Sequence, residues 1–260
     1  MRLDGQSAIV AGGAGGLGGA TVRRLVAEGV GVAVLDPDAV RAAELAAHVG
    51  DRVAVVAGDS NDDDAVGAAI AAAGALGRCS ISVSATGVVI PSRPLVGADG
   101  SMLAKDVLQA NFDLHVAGPF NLARLAAASF ADNEPDEDGQ RGVIVQTASI
   151  SAFDGQVTMV PYAAAKGAVV AMTLPMARDL APLGIRVCAI APGAFATPRL
   201  ASPVVRDLLV GDVLFPKRLG EPEEYASLVV AIAGNPYLNG EVIRLDGGAR
   251  LSPTMTPGPR

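Results

Sequence analysis

The stretch that decides the fold is Ala8-Ile9-Val10-Ala11-Gly12-Gly13-Ala14-Gly15-Gly16-Leu17-Gly18, near the amino terminus. Its first four residues form a short apolar run typical of a buried strand, and the glycines lead into a segment of helical composition. A glycine-rich turn that opens a helix lets the backbone approach a pyrophosphate, whose charge meets free N–H groups and the positive end of the helix. By itself the turn is a weak signal. Its place between a strand and a helix predicts a dinucleotide site at Gly12, Gly15, Gly16 and Gly18.

The second strand supports the same site, because it ends in Asp36, 18 residues after Gly18. A carboxylate there can accept hydrogen bonds from both hydroxyls of an adenosine ribose, and it repels a 2′-phosphate. No Arg or Lys lies in the glycine turn or directly after Asp36, so the pattern favours NAD over NADP. The alternative is that Asp36 only forms a turn before Pro37. Asp59 ends the third strand similarly, as a partner for the adenine amino group or, alternatively, as the N-cap of the next helix.

Short apolar runs alternate with Ala-rich segments of helical length along the chain. The predicted strands are apolar at both alternating positions, as expected when both faces of a sheet are covered, and span residues 8–11, 32–35, 53–57, 81–84, 143–147, 187–190 and 242–245. The predicted helices include residues 19–27, 40–49, 64–73, 120–131 and 162–180. This alternation predicts an α/β fold, a Rossmann-like domain with a doubly wound, seven-stranded parallel sheet and helices on both faces.

No linker divides the chain, so we predict a single domain over residues 1–251. Residues 197–216 contain three prolines and no clear period, and we expect them to form an irregular substrate lid. The lid region carries apolar side chains that would face either a substrate or a neighbouring subunit: Phe195, Leu200, Val204, Leu208, Leu209 and Phe215. Residues 252–260 contain three further prolines and are expected to be a flexible tail.

Composition excludes several classes of protein. The chain has 260 residues, of which 50% are hydrophobic and 18% charged, so it is not a disordered chain. Its net charge of −7, without a cluster of Lys and Arg, argues against binding to nucleic acid or to an anionic membrane. Cys79 and Cys188 have no Cys or His at metal-ligand spacing, so we expect buried thiols and no metal. No secretion signal or membrane-spanning stretch is visible, and a cytoplasmic location is predicted.

Tyr162 and Lys166 lie four residues apart on a predicted helix, so their side chains share one face. An unperturbed tyrosine has a pKa of about 10, and a nearby ammonium favours the phenolate. We therefore expect Lys166 to lower the pKa of Tyr162, assisted by the positive nicotinamide of an oxidised cofactor. Ser149, at the end of the preceding strand, is placed to bind the same substrate oxygen. Together they predict a proton-transfer site for an alcohol and its ketone, whereas the alternative is a core Tyr162 beside a surface Lys166.

With these residues the chain resembles the short-chain dehydrogenases/reductases over nearly its whole length. The turn Pro192-Gly193 and the segment Asp246-Gly247-Gly248 also match. The resemblance implies that Tyr162 is the catalytic acid/base, that Lys166 holds the nicotinamide ribose and that Ser149 orients the substrate oxygen. It implies NAD as cofactor, a small-molecule substrate and a homo-oligomer, a tetramer or dimer. Further cofactor contacts are implied at Gly15, Leu17, Asp59, Ser60, Ala85, Gly87, Pro192, Gly193, Phe195 and Thr197.

Four longer stretches are similar to the members of this family that act on 3-hydroxyacyl-CoA, at residues 133–136, 139–144, 177–182 and 239–246. The resemblance therefore implies NAD-dependent interconversion of a 3-hydroxyacyl-CoA and a 3-oxoacyl-CoA, a reaction of fatty acid metabolism. A hydroxysteroid is the alternative substrate, because an apolar lid would accept either. A 3-oxoacyl-carrier-protein reductase is disfavoured, since those usually take NADP and Asp36 opposes it.

Three features depart from the family pattern. The glycine turn has Ala11 for a usual Thr and Gly15 for a common Ser, and Ser84-Ala85-Thr86-Gly87 lacks the usual asparagine whose amide ties neighbouring strands. His115 stands where the family has an asparagine that holds a water in a proton relay to the lysine. An imidazole also binds water, and its ordinary pKa of about 6.5 predicts a pH-sensitive relay, unless His115 merely fills space. These departures keep open an NAD-binding module with weak or no turnover.

Overall fold

A computed structural model describes residues 1–198, 200 and 202–254 of the protein. In these residues seven parallel strands form one sheet in the order β3-β2-β1-β4-β5-β6-β7, as the sequence predicts. The strands are β1 (Gln6–Ala11), β2 (Gly31–Asp36), β3 (Val53–Ala57), β4 (Arg78–Ser84), β5 (Gly142–Thr147), β6 (Ile185–Pro192) and β7 (Val242–Leu245). The α-helices are α1 (Gly16–Ala27), α2 (Ala39–Val49), α3 (Asp63–Leu76), α4 (Lys105–Phe112), α5 (Gly118–Ala131), α6 (Val160–Leu180), α7 (Pro203–Asp212) and α8 (Pro222–Gly234).

Both faces of the sheet are covered, which explains why the strands are apolar at every position. In β1, Ala8 and Val10 belong to the core beneath α1 and α8, whereas Ile9 and Ala11 belong to the core beneath α3 and α5. Successive side chains of a strand point to opposite faces, so each face receives half of the strand. Each fully buried Val or Ile contributes about 1.5–3 kcal/mol of hydrophobic free energy.

The order of the strands reverses at β1, which has β2 on one side and β4 on the other. Ala11, the last residue of β1, pairs with Leu35 of β2 and with Ser84 of β4. Ligands of open α/β sheets bind in the crevice outside the carboxyl ends of the strands at such a reversal. The glycine turn, Asp36 and Ser84 all lie at this crevice.

One expectation about the carboxyl-terminal third needs correction. The expected irregular lid contains α7, which begins with Pro203 at its first position, where a missing N–H costs nothing. The first residues of the expected tail form hydrogen bonds, and the flexibility of the tail stays a prediction. Ser252 donates from its backbone N and its Oγ to Asp212, at 3.0 and 2.5 Å, and Pro253 O accepts from Val157 N at 2.9 Å. Lid positions 199 and 201 and tail residues 255–260 lie outside the described residues.

Within residues 1–198, 200 and 202–254, no helix is long and apolar enough to cross a bilayer.

Candidate active site

The glycine turn forms a tight backbone cradle at the start of α1. Gly12 has a φ of +71°, and a Cβ there would lie 3.0 Å from the backbone N of Thr86. At Gly18, a Cβ would lie 2.1 Å from the carbonyl oxygen of Gly12. No side chain caps the first turn of α1, whose N-cap is Gly15. The cradle therefore presents backbone N–H groups and the positive end of a helix, and it fits a pyrophosphate.

Asp36 is the last residue of β2 and is 7% exposed. Its Oδ2 accepts from the backbone N of Ala14 in the glycine turn, and its Oδ1 accepts from the backbone N of Asp38, both at 2.9 Å. Each carboxylate oxygen retains lone-pair capacity for a further donor. The carboxylate therefore lies beside the cradle with both oxygens able to accept a ribose hydroxyl.

Asp59 and Ser60 lie beyond β3, at the same edge of the sheet. Asp59 Oδ1 accepts from the backbone N and the side-chain N of Asn61, at 2.8 and 2.9 Å. Asp59 is not an N-cap, because α3 is capped by Asp62, which bonds the backbone N of Asp64. Ser60 is 7% exposed, and its carbonyl accepts from Asn121 Nδ2 at 2.9 Å.

Thr147, at the end of β5, ties β5 to β4. Its hydroxyl bonds to the carbonyl oxygen of Ser84 at the end of β4, and its Oγ1 lies 2.7 Å from the hydroxyl of Tyr225. Its own carbonyl accepts from Lys166 Nζ at 2.7 Å. Thr147 thus joins two strand ends and fixes the lysine.

Lys166 is 1% exposed, so it is not the surface residue of the alternative interpretation. Burial lowers the pKa of Lys166 from 10.5 to about 7. Its Nζ lies 5.9 Å from the centre of the Tyr162 ring. The two side chains that the spacing in α6 placed on one face do meet.

The pKa of Tyr162 is raised above its ordinary value by burial, and a hydrogen bond with Ser149 opposes the rise. The expected lowering by Lys166 is therefore wrong, because burial of the phenol disfavours its charged form. Ser149 is 7% exposed, and its Oγ accepts from the backbone N of Ser151 at 3.1 Å.

His115 lies in a π-helical turn, Asp113–Ala117, between α4 and α5, and is fully buried. Its ring meets the Tyr162 ring edge to face, with the centres 5.2 Å apart and the planes at 85°. Its Nε2 lies 2.9 Å from the carbonyl oxygen of Val88, so Nε2 carries the proton and donates. Nδ1 is an acceptor without a hydrogen-bond partner among the described residues.

Burial and the nearby Lys166 lower the pKa of His115 from 6.5 to about 3. The expectation of a pH-sensitive imidazole is therefore wrong, because the ring is neutral throughout the physiological range. Asn111, one turn earlier, is also buried, and its Nδ2 donates to Val107 O at 2.8 Å. It is His115 that contacts the tyrosine.

The remaining predicted cofactor residues take different positions. Thr197 lies so close to the cradle that a Cβ on Gly16 would come within 2.7 Å of its Cγ2. Phe195 is not part of an open lid, because its ring is 7% exposed and packs against Gly220. The side chain of Leu17 packs against the core. Four others lie at the carboxyl ends of β4 and β6 or just beyond them, namely Ala85, Gly87, Pro192 and Gly193.

The sequence model of the short chain dehydrogenase family matches residues 6–205. The chain belongs to this family. It is therefore an oxidoreductase that acts on CH–OH groups. This short-chain dehydrogenase is 45% identical to human 3-hydroxyacyl-CoA dehydrogenase type-2 over 254 residues, which cover 96% of this chain and 97% of the human one.

Solved structures agree with the fold. A crystal structure of 3-hydroxyacyl-CoA dehydrogenase type-2 from Mycobacterium avium is similar with a TM-score of 0.93 and 45% identity, over 96% of this chain and 97% of the other. The 3-ketoacyl-(acyl-carrier-protein) reductase from Brucella melitensis, solved with NADH, is similar with a TM-score of 0.84 and 27% identity, over 96% of this chain and 100% of the other. The family's nicotinamide cofactor fits the cradle and the carboxylate described above.

Proposed function

We propose that this short-chain dehydrogenase is NAD-dependent and interconverts a 3-hydroxyacyl-CoA and the corresponding 3-oxoacyl-CoA. The observation that carries the proposal is the phenol of Tyr162, which lies among Lys166, His115 and Ser149. Lys166 is anchored at the carboxyl edge of the sheet, which also carries the cradle. A half-buried phenol that meets a hydroxyl and a lysine amine is suited to exchange one proton with a substrate oxygen.

In the direction of reduction, Tyr162 gives its proton to the carbonyl oxygen of the ketone while the Ser149 hydroxyl binds that oxygen. The raised pKa of Tyr162 supports this role, since the phenol is protonated at neutral pH. In the direction of oxidation, Tyr162 receives the hydroxyl proton, and a charged Lys166 stabilises the phenolate. The nicotinamide, when bound, supplies or accepts the hydride.

We assign NAD rather than NADP because Asp36 lies beside the cradle and repels a 2′-phosphate. The NADH in the reductase from Brucella melitensis supports a nicotinamide cofactor for a related fold. We assign Gly12, Gly15, Gly16, Leu17 and Gly18 to the pyrophosphate. The other cofactor contacts that we propose are Asp36, Asp59, Ser60, Ala85, Gly87, Tyr162, Lys166, Pro192, Gly193, Phe195, through its backbone, and Thr197.

The acyl-CoA substrate is inferred from the names of the relatives that are 45% identical to this chain. A hydroxysteroid is the second candidate. It is favoured by the exposed apolar side chains at and after α7, where Val204, Leu214 and Phe215 are 69%, 71% and 82% exposed. These side chains suit a lid over an apolar substrate of either kind.

The substitution Tyr162→Phe tests the catalytic proposal. We expect turnover of acetoacetyl-CoA to fall by about 10²–10⁴-fold, the usual contribution of a general acid, in a protein that still binds NADH. Tyr237→Phe is the matched control, because Tyr237 is 98% exposed, and it is expected to retain full activity. Equal and measurable turnover in the Tyr162→Phe and wild-type proteins would contradict the assignment of Tyr162. No turnover in the wild-type protein would instead favour the binding-module alternative.

We also propose a homo-oligomer, a dimer or tetramer, built on the long helices. Phe120 on α5 and Val160 and Leu174 on α6 are 47%, 50% and 44% exposed, which supports a covered apolar face. Light scattering of the purified protein measures the assembly, and a monomer at all concentrations would contradict the proposal. The cytoplasmic location stays a prediction from the sequence.

A further inference from the structure

Arg41 reaches the cofactor cradle from outside it. It lies in the first turn of α2, five residues after Asp36. Its guanidinium Nη2 donates to the carbonyl oxygen of Ala14, in the glycine turn, at 3.1 Å. The pattern that favours NAD is the lack of Arg and Lys in the glycine turn and directly after Asp36, and Arg41 lies outside both of these places.

One residue of the cradle, Ala14, bonds both an acid and a base. The backbone N of Ala14 donates to Asp36 Oδ2 at 2.9 Å, while the carbonyl of Ala14 accepts from Arg41. Asp38 links Asp36 to Arg41. Its backbone N donates to Asp36 Oδ1 at 2.9 Å, and its Oδ1 accepts from the backbone N of Arg41 at 3.0 Å. These four bonds join the Asp36 carboxylate and the Arg41 guanidinium to the same residue of the cradle, at the predicted ribose site.

No ion pair among the described residues neutralises the positive charge of Arg41. None of the salt bridges between described residues, with N···O at 4.0 Å or less, includes Arg41. Its side chain is exposed, and a guanidinium has five N–H donors, of which the Ala14 carbonyl uses one. The other donors are available to an anion that arrives beside Asp36.

We propose that Arg41 is a specificity-determining residue, which partly offsets the repulsion between Asp36 and a 2′-phosphate. The inference rests on the proposed cofactor site and refines it. Guanidinium and phosphate form strong, often bidentate, charge-assisted hydrogen bonds. The protein therefore discriminates against NADPH less strongly than it would with Asp36 and without Arg41. Neutralising Asp36 converts Arg41 into the anchor of the 2′-phosphate.

The test is a fluorescence titration with NADH and with NADPH, which needs no substrate. Arg41→Gln is expected to weaken NADPH binding about tenfold, a typical value for one lost hydrogen bond to a charged group, and to change NADH binding less than threefold. Arg52→Gln is the matched control, since Arg52 is exposed and likewise donates to a backbone carbonyl, that of Gly29, at 2.6 Å. The same ratio of the two affinities in Arg41→Gln and Arg52→Gln would overturn the proposal.

Asp36→Asn gives a second measurement, because it removes the repulsion while keeping the shape of the side chain. We expect NADPH affinity to rise at least tenfold in Asp36→Asn and to lose this gain in the double variant Asp36→Asn/Arg41→Gln. A gain that persists in the double variant would overturn the role of Arg41. A wild-type protein that binds neither nucleotide would instead overturn the proposed function, so the two failures are distinguishable.

Discussion

Replacing the buried Lys166 by Met should abolish catalysis and yet stabilise the protein at neutral and acidic pH. The ammonium is 1% exposed, and burial lowers its pKa from 10.5 to about 7. That depression corresponds to about 5 kcal/mol of unfavourable desolvation at pH 6, where the lysine is protonated in both the folded and the unfolded chain. Met fills a similar volume without a charge.

One loss offsets part of this gain. Lys166 Nζ donates to the carbonyl of Thr147 at 2.7 Å, and Met leaves that buried oxygen without its donor, at a cost of about 1–3 kcal/mol. We therefore expect Lys166→Met to raise the free energy of unfolding by about 2–4 kcal/mol at pH 6.

The pH dependence has a definite sign. Because the pKa of Lys166 is lower in the folded state, the unfolded chain binds more protons between about pH 7 and 10.5. The stability of the wild type should therefore rise across this range, relative to the variant, by about 1.4 kcal/mol per pH unit. The advantage of Lys166→Met should shrink to about zero near pH 9.

Urea unfolding followed by circular dichroism at pH 6, 7, 8 and 9 measures the difference; the chain has no Trp to report by fluorescence. Lys217→Met is the matched control, because Lys217 is exposed and also donates to a backbone carbonyl, that of Gly211, at 3.0 Å. Its difference from wild type should be small and constant with pH. A Lys166→Met protein that is less stable than wild type at pH 6, or a difference that does not change with pH, would contradict a destabilising burial of the Lys166 ammonium.

Three further substitutions have definite expected outcomes. Gly18→Ala places a Cβ 2.1 Å from a backbone oxygen, so it should weaken NADH binding at least tenfold in a fluorescence titration. Gly67→Ala is the control, because Gly67 has open space around it, and it should not weaken NADH binding. Equal NADH affinities of the two variants would contradict the cradle. His115→Gln should show the same pH profile of turnover between pH 5 and 8 as the wild type, because the pKa of His115 is about 3; an inflection near pH 6.5 in the wild type alone would be inconsistent with a neutral ring. Arg186→Met removes the donor from four oxygens, those of Gln140, Ile232, Ala233 and Leu238, and should lower the free energy of unfolding by about 3–5 kcal/mol in urea; a loss below about 1 kcal/mol would show that these oxygens find other donors.

The sequence predicts those parts of the site that depend on local spacing. The glycine turn lies between a strand and a helix, and the spacing of Tyr162 and Lys166 is one turn of α6, so both follow from the chain order. The seven strands can be predicted from their apolar runs, because strands of a parallel sheet that is covered on both faces are apolar at successive positions.

Features that arise from packing are the ones that the sequence does not predict. The pKa of Tyr162 depends on how deeply α6 is buried, and no pattern of residue types measures that burial. Asp59 and Asp62 both precede α3, and only the backbone shows which of them caps it. Arg41 of α2 reaches the glycine turn through its hydrogen bond to the carbonyl oxygen of Ala14, a contact across 27 positions of the chain. The pair Ser202-Pro203 is a pattern typical of the start of a helix, but the other prolines of residues 197–216 favour irregular structure there.

The most direct test of the proposed function is the absorbance of NADH with the purified wild-type protein and acetoacetyl-CoA, beside a parallel reaction with NADPH. We expect rapid loss of absorbance with NADH and a much slower loss with NADPH. No loss with NADH, in a protein that binds NADH, would contradict the acyl-CoA assignment.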